Sequence, residues 1–194
     1  MKKAFVLLAS VLAVLALSGC MTSKKTSSKS SIVPQVIGLE GIVQPDWVYK
    51  TVTKQDMHFE TGYGKMSDKQ ISIKRATVEA KNKIAEWVRT SVKEVIMTYV
   101  NDTGNDDSRQ SLDVMETIST QVAEATLSGV TTEEMWVDAD GGVWVLCSIP
   151  LANIEKSFEP ASQAISETFF ENDAANAANA KMKDAFANLL KGTL

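Results

Sequence analysis

Cysteine and histidine are scarce in this chain, which has two cysteines and one histidine among its 194 residues. Two cysteines cannot build a disulfide framework, and so few thiol and imidazole groups do not supply the ligand set of a transition-metal site. Cys147 lies in an apolar run, residues 143–147, where a lone cysteine is usually a small buried hydrophobic residue. We therefore expect no cofactor and no metal.

Motifs of catalytic sites are missing as well. A hydrolase needs a nucleophile, a base and a group that orients the base, yet the only histidine is His58 and no Gly-x-Ser-x-Gly motif occurs. Glu133 and Glu134 are adjacent in a predicted strand, so their side chains are expected to point to opposite faces. The sequence predicts a protein that is not an enzyme, with an envelope enzyme as the alternative.

An excess of basic residues is also absent. The chain has 20 Lys and Arg against 24 Asp and Glu, which gives a formal net charge of −4. Loss of residues 1–19, argued below, removes Lys2 and Lys3 and lowers this charge to −6. A nucleic-acid-binding protein would show a basic face or stripe, so we expect no nucleic-acid partner.

Hydrophobic runs long enough for a membrane are lacking, and only one run stands out, at the start of the chain. Residues 4–17 are apolar and follow Lys2 and Lys3, but they fall short of the about 20 residues that a transmembrane helix needs. A charged start, a short apolar run and small residues are typical of a bacterial secretory signal peptide, here residues 1–19. The run ends in Leu17-Ser18-Gly19-Cys20.

These four residues resemble a lipobox, the recognition element of lipoprotein signal peptidase. The resemblance implies that Leu17, Ser18 and Gly19 are the signal-recognition residues and that Cys20 is the lipidation site. It also implies that the thiol of Cys20 receives a diacylglyceryl group, that cleavage occurs before Cys20, and that the new amino group is then acylated with a fatty acid such as palmitate. We expect a lipid-anchored protein of the bacterial cell envelope, in the outer membrane because Met21 rather than aspartate follows the cysteine. An ordinary signal peptide and an uncleaved anchor helix are the alternatives.

Composition divides the mature chain into three parts. Residues 20–31 are rich in serine and lysine and are predicted to form a disordered tether, whose lysines either contact anionic head groups or lie in a soluble spacer. Residues 32–155 are predicted to form an α+β domain, which opens with an irregular lead-in over residues 32–49 that Pro45-Asp46-Trp47-Val48 closes. Residues 156–194 are predicted to form a helical tail, with Pro160 breaking or kinking the helix. Such a tail packs on its own domain, on a second copy or on another protein.

The secondary structure of the domain follows from its apolar spacing. A strand is predicted at residues 59–64, where two glycines permit a close backbone approach. A helix is predicted to follow a capping box with Ser67 as N-cap and Gln70 reaching back. Its apolar stripe contains Ile73, Ala76, Ala80, Ile84, Trp87 and Val88, at helical spacing.

The second half of the domain contains one ambiguous segment. Residues 90–100 continue the stripe, yet they are rich in β-branched residues, which favour a strand. A polar loop at 101–107 is predicted to be a solvated turn rather than a calcium site, because the calcium-loop spacing is missing. A second helix at 108–127 and a hairpin of strands at 130–137 and 143–149 complete the domain, with residues 138–142 in the turn.

The order of these features resembles the LPP-twenty lipoprotein family over residues 17–155. Trp144 stands where the family usually has tyrosine, and the tail beyond Pro160 lies outside the pattern. The resemblance implies a small antiparallel or mixed sheet with a long helix across it, a strand after Arg89, and hence the order β-α-β-α-β-β-α plus the tail. Besides the lipobox it depends on Pro45-Asp46-Trp47-Val48, Gly62-Tyr63-Gly64, Ala76, Ala80, Leu127-Ser128-Gly129-Val130, Glu134-Met135-Trp136 and Val143-Trp144-Val145-Leu146.

Both the anchor and the resemblance imply a non-catalytic structural or interaction role. Its partners are the membrane, through the lipid, and either a second copy or another envelope protein; a link to flagellar structures rests on the resemblance. The alternative is a ligand-binding module with an aromatic-lined pocket between helix and sheet. The candidate interaction or pocket residues are Trp47, Tyr63, Trp87, Trp136, Trp144, Phe169 and Phe170.

Overall fold

The structure is a computed structural model, and it describes residues 35–101, 109–170 and 172–192. The predicted signal peptide, Cys20 and the tether lie outside the described residues, as does nearly all of the polar loop predicted at 101–107. From Gln35 onward the chain forms one compact unit.

Three strands and four α-helices make up the described part of the chain. The class is α+β, as the sequence predicts, with a long helix packed against an antiparallel sheet. Short 3-10 turns precede β1 and β2. The elements are β1 (Met57–Gly64), α1 (Lys69–Asn101), α2 (Arg109–Thr126), β2 (Thr131–Val137), β3 (Val143–Pro150), α3 (Leu151–Phe169) and α4 (Asn172–Leu190).

The sheet has the order β1-β3-β2, with β3 paired to both neighbours in antiparallel register. The hairpin between β2 and β3 is the one that the sequence predicts. Asp138 organises its turn, because one carboxylate oxygen accepts hydrogen bonds from the backbone N–H of Asp140 at 3.0 Å and of Gly142 at 2.7 Å. Gly141 has a φ of +80°, which glycine adopts without the steric cost of a side chain.

Helix α1 lies directly on the sheet because small residues face each other at the contact. A Cβ atom at Gly62 would fall on the carbonyl oxygen of Ala76 and 2.6 Å from the backbone nitrogen of Ala80. Gly64 meets the same helix one turn earlier, near Ser72. The predicted close backbone approach is therefore a contact between a strand and a helix.

The strand predicted after Arg89 is wrong, because α1 continues to residue 101. The observed order of the described elements is β-α-α-β-β-α-α. Val92, Val95 and Ile96 extend the helical stripe, and each is at most 3% exposed in the main core. Burial of these side chains outweighs the modest helix cost of β-branched residues.

The predicted N-cap of α1 is wrong, and of the two alternatives predicted at Pro160, a break or a kink, the break is excluded. Asp68 rather than Ser67 caps α1, since its carboxylate accepts a hydrogen bond from the backbone N–H of Ile71 at 3.0 Å. Pro160 does not break the chain into two helices, because α3 runs through it. Phe158 and Ile165, on either side of the proline, are both buried in the core, and this packing holds the helix together.

The C-terminal tail packs on its own domain. Met182 and Phe186 of α4 belong to the main core, and the ring of Phe186 lies 4.2 Å from that of Phe158 between centroids. The hydroxyl of Tyr99 on α1 donates a hydrogen bond to the carbonyl of Lys181 at 3.1 Å. The boundary predicted between residues 155 and 156 therefore lies inside α3 and separates no compact units.

Candidate interaction surfaces

The sheet face opposite α1, called the outer face below, carries a second hydrophobic cluster. Trp47, Trp136 and Leu146 are its buried members, at 7%, 3% and 4% exposure. The indole N–H of Trp47 donates to a carboxylate oxygen of Glu134 at 2.6 Å, and that of Trp136 donates to the carbonyl of Ile42 at 3.0 Å. Trp47 and Trp136, two of the predicted interaction residues, are therefore buried core residues whose indole N–H groups are hydrogen-bonded.

Tyr63 and Trp144 form a half-buried aromatic pair on the same outer face. Their ring centroids lie 4.9 Å apart at an angle of 48°. The Tyr63 hydroxyl lies beside the hairpin turn, where a Cβ at Gly142 would collide with it. Burial, and then the negative charge of Asp138, raises the pKa of Tyr63 above its usual 10.0, so this hydroxyl stays protonated at neutral pH.

Trp87 lies on the other side of the sheet, where α1 covers β1. Its ring stacks on His58 with centroids 3.7 Å apart and an angle of 3°. His58 in turn places Nε2 3.2 Å from a carboxylate oxygen of Glu60. Because Tyr63, Trp136 and Trp144 lie on the outer face, they and Trp87 do not line one pocket between helix and sheet.

A groove of about 760 Å³ borders the free edge of β1. Its walls are the segment 47–61, the start of α3 at Leu151 and the end of α4 at Leu190. Of the seven predicted interaction residues, only Trp47 lines it. The groove therefore differs in place and lining from the predicted pocket between helix and sheet.

Phe169 and Phe170 end α3 and have different surroundings. Phe169 packs against the main core, while Phe170 leaves the helix with φ −129° and ψ 152°. Both are half-buried. Phe170 is thus the member of this pair that remains a candidate for contact with a partner.

Glu133 and Glu134 point to the same face, which contradicts the sequence prediction. A bulge between Thr132 and Glu134 interrupts the alternation of β2. Glu133 accepts a hydrogen bond from the buried hydroxyl of Ser148 at 2.5 Å, while Glu134 binds Trp47 as above. Hydrogen bonds from Ser148 and then from Thr131 lower the pKa of Glu133 below its usual 4.5.

Cys147 is buried and has no disulfide partner among the described residues. Burial raises the pKa of its thiol above the usual 9.0, so the reactive thiolate is disfavoured. This confirms the prediction of a small buried hydrophobic residue. Within the described ranges no group of three or more His, Cys, Asp or Glu side chains is arranged to hold a metal ion.

Residues 36–44 form a small hairpin where the sequence predicts part of an irregular lead-in. The sequence does carry a signal for this hairpin, because Gly38 and Gly41 lie between the apolar pairs 36–37 and 42–43. Gly38 packs on the Trp136 ring. A Cβ atom added at Gly38 would lie only 2.8 Å from Nε1 of that ring. The hairpin thereby covers the outer face.

None of the helices in the described part of the chain combines the length and the apolar character needed to cross a membrane. Comparison with protein-family models, with curated proteins and with solved structures finds no match. The resemblance to LPP-twenty lipoproteins therefore stays a prediction from the residues quoted above.

Proposed function

We propose that this protein is a lipid-anchored, non-catalytic lipoprotein of the bacterial cell envelope that acts as a structural or interaction component. The observation that carries the proposal is Leu17-Ser18-Gly19-Cys20, at the end of a charged and then apolar leader. The compact unit begins at Gln35, so residues 20–34 separate the lipid from the folded part.

The proposed location is the outer membrane, and the proposed partner besides lipid is a second copy or another envelope protein. Exposed apolar side chains support such a contact: Val78 and Met97 on α1 and Leu112 on α2 are each about half exposed. A link to flagellar structures is the narrower proposal, and it rests on the family resemblance alone.

Labelling with a palmitate analogue in bacterial cells tests the anchor. The wild-type chain should incorporate the label and sediment with membranes, and Cys20→Ser should lose both properties. Cys147→Ser is the matched control, because this second cysteine is fully buried and its replacement should leave labelling intact. A wild-type chain that takes up no label refutes the anchor.

Photocrosslinking in intact cells tests the interaction role. A photoreactive amino acid at Val78 or at Met97 should capture a second copy or an envelope protein, since both side chains face solvent in the isolated chain. The buried Ile84, on the opposite side of α1, supplies the control position and should give only contacts within the chain. The absence of any captured protein from both exposed positions would contradict the interaction role.

A further inference from the structure

The hairpin at residues 36–44, called the apolar hairpin below, is an ordered element of the fold. Its two arms are joined by hydrogen bonds from Gly38 N–H to the carbonyl of Ile42 and from Gln44 N–H to the carbonyl of Val36, both 2.8 Å long. Gly41 supplies the turn with a φ of +74°. The arms therefore hold their side chains in a fixed arrangement.

The apolar hairpin concentrates exposed hydrophobic surface. Twelve large hydrophobic residues are exposed in the described part of the chain, and five of them lie within these nine residues. Their exposed fractions run from 43% to 67%. An exposed cluster of this kind marks an interaction surface, whereas single exposed residues do not. The five are Val36, Ile37, Leu39, Ile42 and Val43.

Contacts with the domain keep this surface in place. The backbone N–H of Leu39 donates to the carbonyl of Val137 at 3.2 Å, and the carbonyl of Ile42 accepts from Trp136. The only ionisable side chain of the hairpin, Glu40, is paired with Lys69 at 2.5 Å. The exposed surface is thus aliphatic, with its single charge neutralised.

We propose that the apolar hairpin inserts into the surface of the bilayer that holds the lipid on Cys20. This inference rests on the proposed function. Residues 21–34 join Cys20 to the hairpin, and a chain of that length spans at most about 50 Å. The hairpin is the first part of the compact unit after this connection, and tethering makes its contact with the same bilayer an intramolecular event.

The chemistry of the hairpin fits lipid better than a protein partner. Its five side chains are aliphatic and offer no directional hydrogen bonds, which suits the boundary between head groups and acyl chains. Asp138 and Asp140 follow Val137, the residue that the hairpin contacts, and their negative charges disfavour anionic lipid. The occupant is therefore a zwitterionic lipid surface.

Depth-dependent fluorescence on the lipidated full chain tests this proposal. Leu39→Cys and, as control, Met97→Cys are each labelled with an environment-sensitive dye, which the buried Cys147 does not accept. Met97 is also exposed, but it lies about 42 Å along α1 from Lys69, the residue paired with the hairpin. The proteins are reconstituted in vesicles of phosphatidylethanolamine and phosphatidylcholine, with or without brominated acyl chains.

The expected result is a blue shift and quenching by brominated lipid at position 39, with neither at position 97. An aqueous spectrum at position 39 in protein that floats with vesicles overturns the hairpin proposal and leaves the anchor standing. A blue shift that rises with protein concentration without quenching assigns the surface to a second copy and also overturns it.

The failure of the anchor gives a different pattern. A chain that takes up no palmitate analogue refutes the proposed anchor, whether or not it floats with vesicles. In that case Leu39→Cys is made in a Cys20→Ser chain, so that the dye is attached at position 39 alone, and the labelled chain is mixed with an excess of the same vesicles. Quenching at position 39 then supports the hairpin as a lipid-binding element by itself, and its absence overturns the hairpin proposal too.

Discussion

Glu133 illustrates how one additional residue in a strand changes the chemistry of a face. In a regular strand its side chain would lie opposite that of Glu134, but the bulge brings it onto the outer face beside Ser148. The Ser148 hydroxyl is fully buried, and the carboxylate of Glu133 is a stronger acceptor for it than the hydroxyl of Thr131, which lies 3.2 Å away. The carboxylate thereby satisfies a polar group at the edge of the core.

Replacement of this carboxylate should change how stability depends on pH. Because the pKa of Glu133 is lower in the folded protein, its charged form stabilises the fold above the usual value of 4.5, and this stabilisation is lost as pH falls through the folded pKa. Glu133→Gln should therefore unfold at lower denaturant than wild type at neutral pH, with the difference shrinking in acid.

Urea unfolding from neutral pH down to about pH 3 measures this difference. Ser148→Ala is the matched background, since it removes the first hydrogen bond that lowers the pKa of Glu133. In that background Glu133→Gln should show a smaller pH dependence. A difference that stays constant across the range contradicts the assignment.

Gly62 is the glycine at which an added side chain would clash most severely with its surroundings. Gly62→Ala should lower the free energy of unfolding by about 1–3 kcal/mol, the usual cost of overpacking, because its Cβ would overlap the backbone of α1. Gly129→Ala is the control. Its Cβ would meet only the side-chain amide of Asn153 at 2.8 Å, which can rotate away. Equal losses in urea unfolding would contradict the close approach of β1 and α1.

At the scale of elements, the long helix α1 organises the described domain. It contacts the sheet on one side and α2 and α4 on others, and its stripe from Ala76 to Ile96 supplies much of the main core. The β-branched residues near the end of α1 would also suit a strand, but in the fold their side chains pack in that core. The helix therefore depends on tertiary packing in its last turns.

Alanine at two exposed positions distinguishes helix from strand in this segment. Thr90 and Thr98 face solvent, and alanine is the better helix former by about 0.5 kcal/mol per residue. The double variant Thr90→Ala/Thr98→Ala should raise the free energy of unfolding by about 1 kcal/mol. Thr132→Ala in β2, also exposed, should lower it, because threonine favours strands and because its hydroxyl contacts the Cys147 sulfur at 3.7 Å. Destabilisation by the double variant would favour the strand.

The sequence predicts those elements whose signals are local. The stripe beginning at Ala76, the turn 138–142 and the apolar run of β3 each show their period or turn residues within a few positions. The end of α1, the bulge at Glu133 and the burial of Phe186 depend on contacts between distant segments. For the same reason the sequence does not show that Trp87 lies across the sheet from Tyr63 and Trp144.

At the scale of the whole molecule, the hairpin at residues 36–44 is the part of the described fold closest in sequence to Cys20, the proposed lipidation site. It belongs to the compact unit and seals Trp136, while its other side exposes aliphatic residues. One short element thus stabilises the outer face of the sheet and presents the proposed lipid contact. These two roles predict different responses to shortening the chain and to point substitution.

Shortened chains test the structural role of the hairpin. A chain starting at Gln35 should unfold at the same urea concentration as one starting at Cys20, because the compact unit begins there. A chain starting at Pro45 loses the Gly38 contact and the Ile42 carbonyl that binds Trp136. Its free energy of unfolding should fall by about 1.5–3 kcal/mol, the value for exposing a large apolar side chain.

The substitution Leu39→Ser separates stability from lipid contact in the same element. Leu39 is 67% exposed, and only its backbone bonds to Val137, so the serine variant should unfold within about 0.5 kcal/mol of wild type. Shortening to Pro45 and Leu39→Ser should therefore differ clearly in urea unfolding. Equal stability of the chains starting at Gln35 and at Pro45 would show that Trp136 does not need the hairpin, and that the rest of the outer-face cluster, with Trp47 and Leu146, suffices to cover it.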